Sequence, residues 1–186
     1  NWGDAEVFLL DNRFFKSPND RLTGEKVLLG KTQIEWLIDA LVSSKASFKI
    51  IVIGWQVLSS AAVFENYENY KTEKEELLNE ITANKIKGVT FISGDRHFTE
   101  LSMLKRPEAY ALYDWTVSPL TSGYGNIEKI TKEENKNRVE GSLFAQHVFG
   151  TLSFSGEKES RQMKLTLFDN EGKELWNKTI LKKELE

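Results

Sequence analysis

The sequence predicts an α/β fold of mixed, α+β character, with parallel strands early in the chain and antiparallel strands at its end. Two apolar runs of strand character, Phe48 to Gly54 (FKIIVIG) and Gly88 to Gly94 (GVTFISG), each run into a glycine, and a stretch of helical spacing lies between them. A strand, a helix and a second strand in that order are the usual route to neighbouring parallel strands. Near the end, the strand-like segments Met163 to Phe168 and Glu174 to Leu181 flank Asp169-Asn170-Glu171-Gly172, a turn sequence that predicts an antiparallel hairpin.

The 186 residues suit a single domain, and the hydrophobic share of 40% is enough for an ordinary core. A formal net charge of -3, with acids and bases intermixed, gives no nucleic-acid footprint, which would need a strongly basic face. The chain has no cysteine, which excludes disulfides, zinc knuckles and cysteine nucleophiles and leaves the redox compartment open. No apolar run is long enough to span a bilayer and no leader opens the chain. Since the first residue is Asn1 rather than methionine, a processed or cut polypeptide is expected, any targeting segment having gone with the missing part.

Taken in order, Glu6 to Asp11 (EVFLLD) is a buried strand whose carboxyl end presents Asp11 and Arg13 on one side. That pair reads either as chemistry or as a strand-capping aspartate beside a surface arginine. Phe14 to Gly30 is loop-like, with turn signals at Ser17-Pro18-Asn19-Asp20 and Thr23-Gly24. Thr32 and Glu35 predict a capping box, followed by Ile34, Leu37, Ile38 and Leu41 at helical spacing and an end near Ser43-Ser44. The apolar run from Phe48 is the strand expected to be covered on both faces. Ala61 to Lys71 is irregular, and its Glu65, Tyr67 and Tyr70 are within reach of a site or pack on the next helix. Thr72 and Glu75 predict a second capping box, with Leu77, Leu78 and Ile81 giving a helix to about Asn84. Ala109 to Val117 is strand-like, Ser118 to Asn126 is loop, Glu128 to Arg138 reads as a solvated charged segment, and His147 to Ser155 as a strand.

The chemistry concentrates at GVTFISGDRHFTEL, Gly88 to Leu101. The strand breaks at Ser93-Gly94 and delivers Asp95-Arg96-His97 just beyond its carboxyl end, the edge where ligands bind in parallel sheets. If the backbone stays extended, Asp95 and His97 project to one side and Arg96 to the other, so a carboxylate and an imidazole can grip one cation. The bland alternative is a hydrogen-bonded pair that only shapes a loop. There is no phosphate-binding glycine loop with a lysine and no nucleophile elbow. Of the two histidines, His147 opens a strand and reads as structural, which leaves His97 for any site.

The order of the motifs LLDNR, LGKTQIEWLIDALVSSKASFKIIVIGWQVLSS, GVTFISGDRHFTEL and YALYDWTVSPLT, over roughly Val7 to Thr121, resembles the second half of the PhoD-like alkaline phosphatase family, within the calcineurin-like metallophosphoesterases. The resemblance implies half of a four-layer αββα sandwich with a carboxyl-terminal antiparallel hairpin. It implies a metal-dependent phosphoester hydrolase with a binuclear centre of iron, calcium or both, with manganese or zinc compatible with the donors. Position by position, it makes Asp95 and His97 metal ligands, Asp11 a metal-linked carboxylate, Arg13 a phosphate-facing arginine and Gln56, where relatives carry a Gly-His pair, a residue lining the site. Arg96 takes the variable position, a surface or ion-pairing side chain. The family's earlier ligand motifs do not occur before Asp11, so the missing amino-terminal half of the domain is an expected partner beside the phosphoester substrate. The family is commonly exported, which implies an extracytoplasmic location. The alternative is a non-catalytic scaffold or binding module that keeps the fold.

Overall fold

The computed structural model describes residues 2–186. Its centre is a five-stranded mixed sheet built from β1 (Ala5–Leu9), β2 (Phe48–Val52), β3 (Val89–Ser93), β4 (Glu100–Arg106) and β5 (Ala109–Thr116), in the order β1-β2-β3-β5-β4. The neighbours β1, β2, β3 and β5 run parallel, and β4 returns antiparallel along β5. Helices α1 (Lys31–Ser43) and α2 (Lys71–Ala83) make the crossovers into β2 and β3.

Alternation along β2 shows why the sheet is covered twice. Ile51 and Ile53 point into one core with Leu37 and Leu41 of α1 and Leu77 and Ile81 of α2. Phe48 and Ile50 point into a second core with Leu165, Leu167 and Ile180. These last residues belong to an antiparallel sheet of β6 (Val148–Ser155), β7 (Gln162–Asp169) and β8 (Glu174–Leu181). Helices, mixed sheet and antiparallel sheet therefore stack as three layers, which is the expected α/β (α+β) class with its antiparallel end.

Three local expectations change. Both helices begin one residue before their supposed capping threonine, and neither N-cap, Gly30 or Tyr70, has a side-chain cap. Thr32 and Thr72 fall inside the first turn, where neither can cap it. The turn leading into α1 is pinned from elsewhere: the buried Glu73 carboxylate of α2 accepts the N–H groups of Leu28 (2.6 Å), Leu29 (3.0 Å) and Gly30 (2.7 Å). The second change is β4, a strand the sequence does not announce because its inward side chains Glu100 and Ser102 are polar, though almost fully buried. The third is the charged segment after Glu128, which is partly docked: its lysines and Glu134 are solvated, but Glu133, Asn135 and Arg138 turn inward. Arg138 donates to Glu100 (2.5 Å), and buried Asn135 donates to Glu100 (2.8 Å) and Ser102 (2.9 Å). Its opening turn, α3 (Ile127–Thr131), is largely exposed, as are the side chains of Lys132, Glu134 and Lys136.

Candidate active site

The carboxyl ends of β1, β2 and β3 are knitted together by the backbone. Leu10 N–H donates to Val52 (2.9 Å), Ile53 to Ile92 (3.0 Å) and Gly94 to Gly54 (3.2 Å). These ends floor an open cleft of about 500 Å³ that runs from Leu10 past Gly54 to Asp95. Asp95 also lines an adjoining cavity of about 370 Å³, shared with His97, Phe64, Phe98, Lys129 and Ile130.

The loop that carries Asp95 and His97 is not extended. Asp95 (φ 66°) and His97 (φ 57°) both lie in the left-handed region, and Arg96 N–H closes a tight turn onto Gly94 (2.8 Å). The two side chains stand exposed on either side of a buried Arg96, but the extended backbone expected to aim both to one side is replaced by a tight turn. Asp and His are among the few non-glycine residues that enter this region readily. Each such residue costs about 1–3 kcal/mol, and such conformations persist only where the surroundings over-determine them.

The surroundings do so here. His97 N–H donates to Ser118 Oγ (3.2 Å), and its carbonyl accepts Gly125 N–H (2.8 Å). Arg96 donates to Gln56 Oε1 (2.8 Å) and through Nη2 to both Glu133 carboxylate oxygens (2.8 Å each). Its guanidinium lies 4.9 Å from the Phe98 ring and 5.4 Å from the Phe64 ring. Arg96 is thus the buried anchor of the loop, ion-paired but not on the surface. With these backbone and Arg96 ties, the loop leaves the Asp95 and His97 side chains without a protein hydrogen-bond partner among the described residues.

Gln56 does not line the site. It is completely buried, with its oxygen accepting from Arg96 and Asn66 (3.3 Å) and its nitrogen donating to Glu100 (2.8 Å) and Thr116 (3.0 Å). A side-chain amide surrounded on all sides by partners has nothing left for a ligand. It acts on the site only through Arg96. Behind it, fully buried Asp114 accepts the N–H groups of Val57 (2.6 Å) and Leu58 (2.9 Å) and the Ser93 hydroxyl (2.7 Å). Burial pushes the Asp114 carboxyl above its ordinary range, against the opposing pull of those three donors.

Asp11 and Arg13 sit at the end of β1, with β2 between them and β3. One Asp11 oxygen accepts the N–H groups of Arg13 (2.7 Å) and Phe14 (3.1 Å), and these bonds hold its carboxyl below the usual range. Gln33 of α1 clamps the Asp11 backbone from both sides, accepting its N–H (2.8 Å) and donating to its carbonyl (2.7 Å). Asp11 therefore shapes the turn. Arg13 lies exposed with its guanidinium 5.3 Å from the Trp55 ring, just beyond Gly54. Among the described residues no group of three or more His, Asp or Glu gathers around one point, and Asp95 and His97 line the same cavity as Glu65 and Glu133.

Of the irregular segment before α2, Glu65 reaches the cavity, whereas Tyr67 and Tyr70 are buried and bonded to Glu73 (3.1 Å) and the Ser17 carbonyl (2.9 Å). His147 is structural, contacting the Ser122 carbonyl through Nε2 (3.0 Å) and the Tyr124 ring edge-on. Phe64, Ser118 and Lys129 give no sequence signal of a site role. They become visible only once the loops fold over the end of β3.

No protein of curated function matches the chain. Nine solved chains do, among them one described as "Structure of PhoD", 16% identical with a TM-score of 0.68. That match covers 96% of this chain and 42% of the other, so the chain spans less than half of the relative's length, and at this identity the likeness concerns the fold alone. The model of the PhoD-like phosphatases matches residues 1–165, a span that holds all five strands of the mixed sheet together with the Asp95 and His97 loop, and the chain belongs to that family.

Proposed function

We propose that this chain supplies one wall of the active site of a metal-dependent phosphoester hydrolase, with Asp95 and His97 as two of the metal ligands. The observation that carries this reading is their presentation: a carboxylate and an imidazole held outward beyond the end of a parallel strand, on a strained loop, with neither side chain used by the fold. A carboxylate and an imidazole suit iron, manganese or zinc, and a binuclear centre would draw its other ligands from residues outside this chain. Bound there, the metal would polarise a phosphoryl oxygen and lower the pKa of a bound water.

The chain's own residues hold and orient. Arg96, Gln56 and Glu133 fix the loop so that Asp95 and His97 need not reorganise on loading. His97 is a ligand and not a general base, because a metal on its lone pair prevents both roles at once. Arg13, steadied over Trp55, offers a planar guanidinium to phosphoryl oxygens at the open end of the cleft.

The test is hydrolysis of 4-nitrophenyl phosphate by the full-length protein with Asp95→Ala and His97→Ala. Each variant is expected to lose more than the roughly 10–100-fold that changes behind metal ligands cost. Parent-level turnover in either variant would remove the ligand assignment.

A further inference from the structure

We infer that Phe64 is the stacking platform for the substrate's leaving group, and that the protein prefers phosphoesters whose leaving group carries a planar ring. The inference rests on the phosphoesterase reading and adds the class of substrate.

Phe64 is a large apolar side chain that is 73% exposed, on a residue in the left-handed region (φ 49°). A left-handed backbone at a phenylalanine is uncommon, and here it presents an exposed ring at a cost to the fold. Its carbonyl accepts Asn69 Nδ2 (2.7 Å). Two residues on, buried Asn66 is bridged to Gln56, and Tyr67 N–H donates to the Gln56 carbonyl (2.9 Å). The backbone beside Phe64 and the Asp95 and His97 loop are therefore tied to the same buried residue, Gln56, which fixes where the ring is carried relative to that loop.

One face of the ring is taken by the Arg96 guanidinium at 5.4 Å, leaving the other face open. The ring lines the 370 Å³ cavity with Asp95 and His97, and Phe98 and Ile130 continue its apolar wall. That volume is of small-molecule size. A phosphoryl group held at Asp95 and His97 would place its ester substituent beside an open aromatic face, and offset stacking is what such a face does best. The Arg96 charge under the ring is already neutralised by Glu133, so it does not compete for the phosphate.

The experiment compares binding of phenylphosphonate and methylphosphonate to the metal-loaded full-length protein by calorimetry, in the parent and in Phe64→Ala, Phe64→Trp and Asp95→Ala. The parent is expected to bind the phenyl compound roughly three- to tenfold more tightly than the methyl one. Phe64→Ala should erase that ratio by weakening the phenyl compound more than the methyl one, and Phe64→Trp should keep it. An unchanged ratio in Phe64→Ala, with turnover still dependent on Asp95, overturns the stacking platform and spares the phosphoesterase reading. Phosphonate binding indifferent to Asp95→Ala, with turnover intact, overturns both.

Discussion

Asp114 sets the residue scale. Its carboxylate is fully buried and closes the Val57 and Leu58 turn, so truncation leaves two buried N–H groups without an acceptor. Asp114→Ala is expected to cost about 2–5 kcal/mol, measured by urea denaturation. Asp114→Asn should cost less, since an amide oxygen can keep both N–H groups. The two also differ in pH dependence. Because burial raises the folded-state carboxyl above its unfolded value of 3.8, the folded parent holds the proton to higher pH. Stability then falls as pH climbs from the unfolded to the folded value and levels off above it, and Asp114→Asn should lack that part of the slope. Equal stability of Asp114→Ala and parent would show that water replaces the carboxylate. At this scale the sequence was informative where a residue type has few bland uses. Asp95 and His97 stand out after a strand-ending glycine, and both side chains are exposed, though on a left-handed turn and not on the extended backbone the sequence suggests. Gln56 was misplaced because only the fold reveals that its amide is spent on Arg96, Asn66, Glu100 and Thr116.

Elements were legible where burial sets a simple period. The run FKIIVIG became β2 with both faces covered, and the spacing of Ile34, Leu37, Ile38 and Leu41 became the buried stripe of α1. β4 was not legible, because its inward positions hold Glu100 and Ser102, partnered by Asn135 and Arg138 more than 30 residues later. Both helices start one residue before the threonine expected to cap them, and the turn into α1 is held instead by Glu73, 43 residues from Gly30. One contact governs how β6 lies on the mixed sheet. A Cβ at Gly150 would stand 2.5 Å from the ring of Trp115, a β5 side chain that is only 2% exposed and has no room to move. Gly150→Ala is therefore expected to destabilise by about 1–3 kcal/mol through overpacking between the sheets. An unshifted denaturation midpoint would mean that β6 slides freely over Trp115.

At the scale of the whole molecule, three layers aim the ends of three parallel strands at one cleft, and the buried polar network behind β3 holds the displayed loop in a strained shape. The edge strand β1 leaves Val7 and Leu9 exposed. The central claim is that Asp95 and His97 hold metal. The most direct measurement is elemental analysis of the purified full-length protein for iron, calcium, manganese and zinc, beside an Asp95→Ala, His97→Ala double variant of unchanged fold. The expected result is metal in the parent and its loss from the double variant. Equal metal content in both would contradict the account and leave the displayed pair as a loop-shaping device.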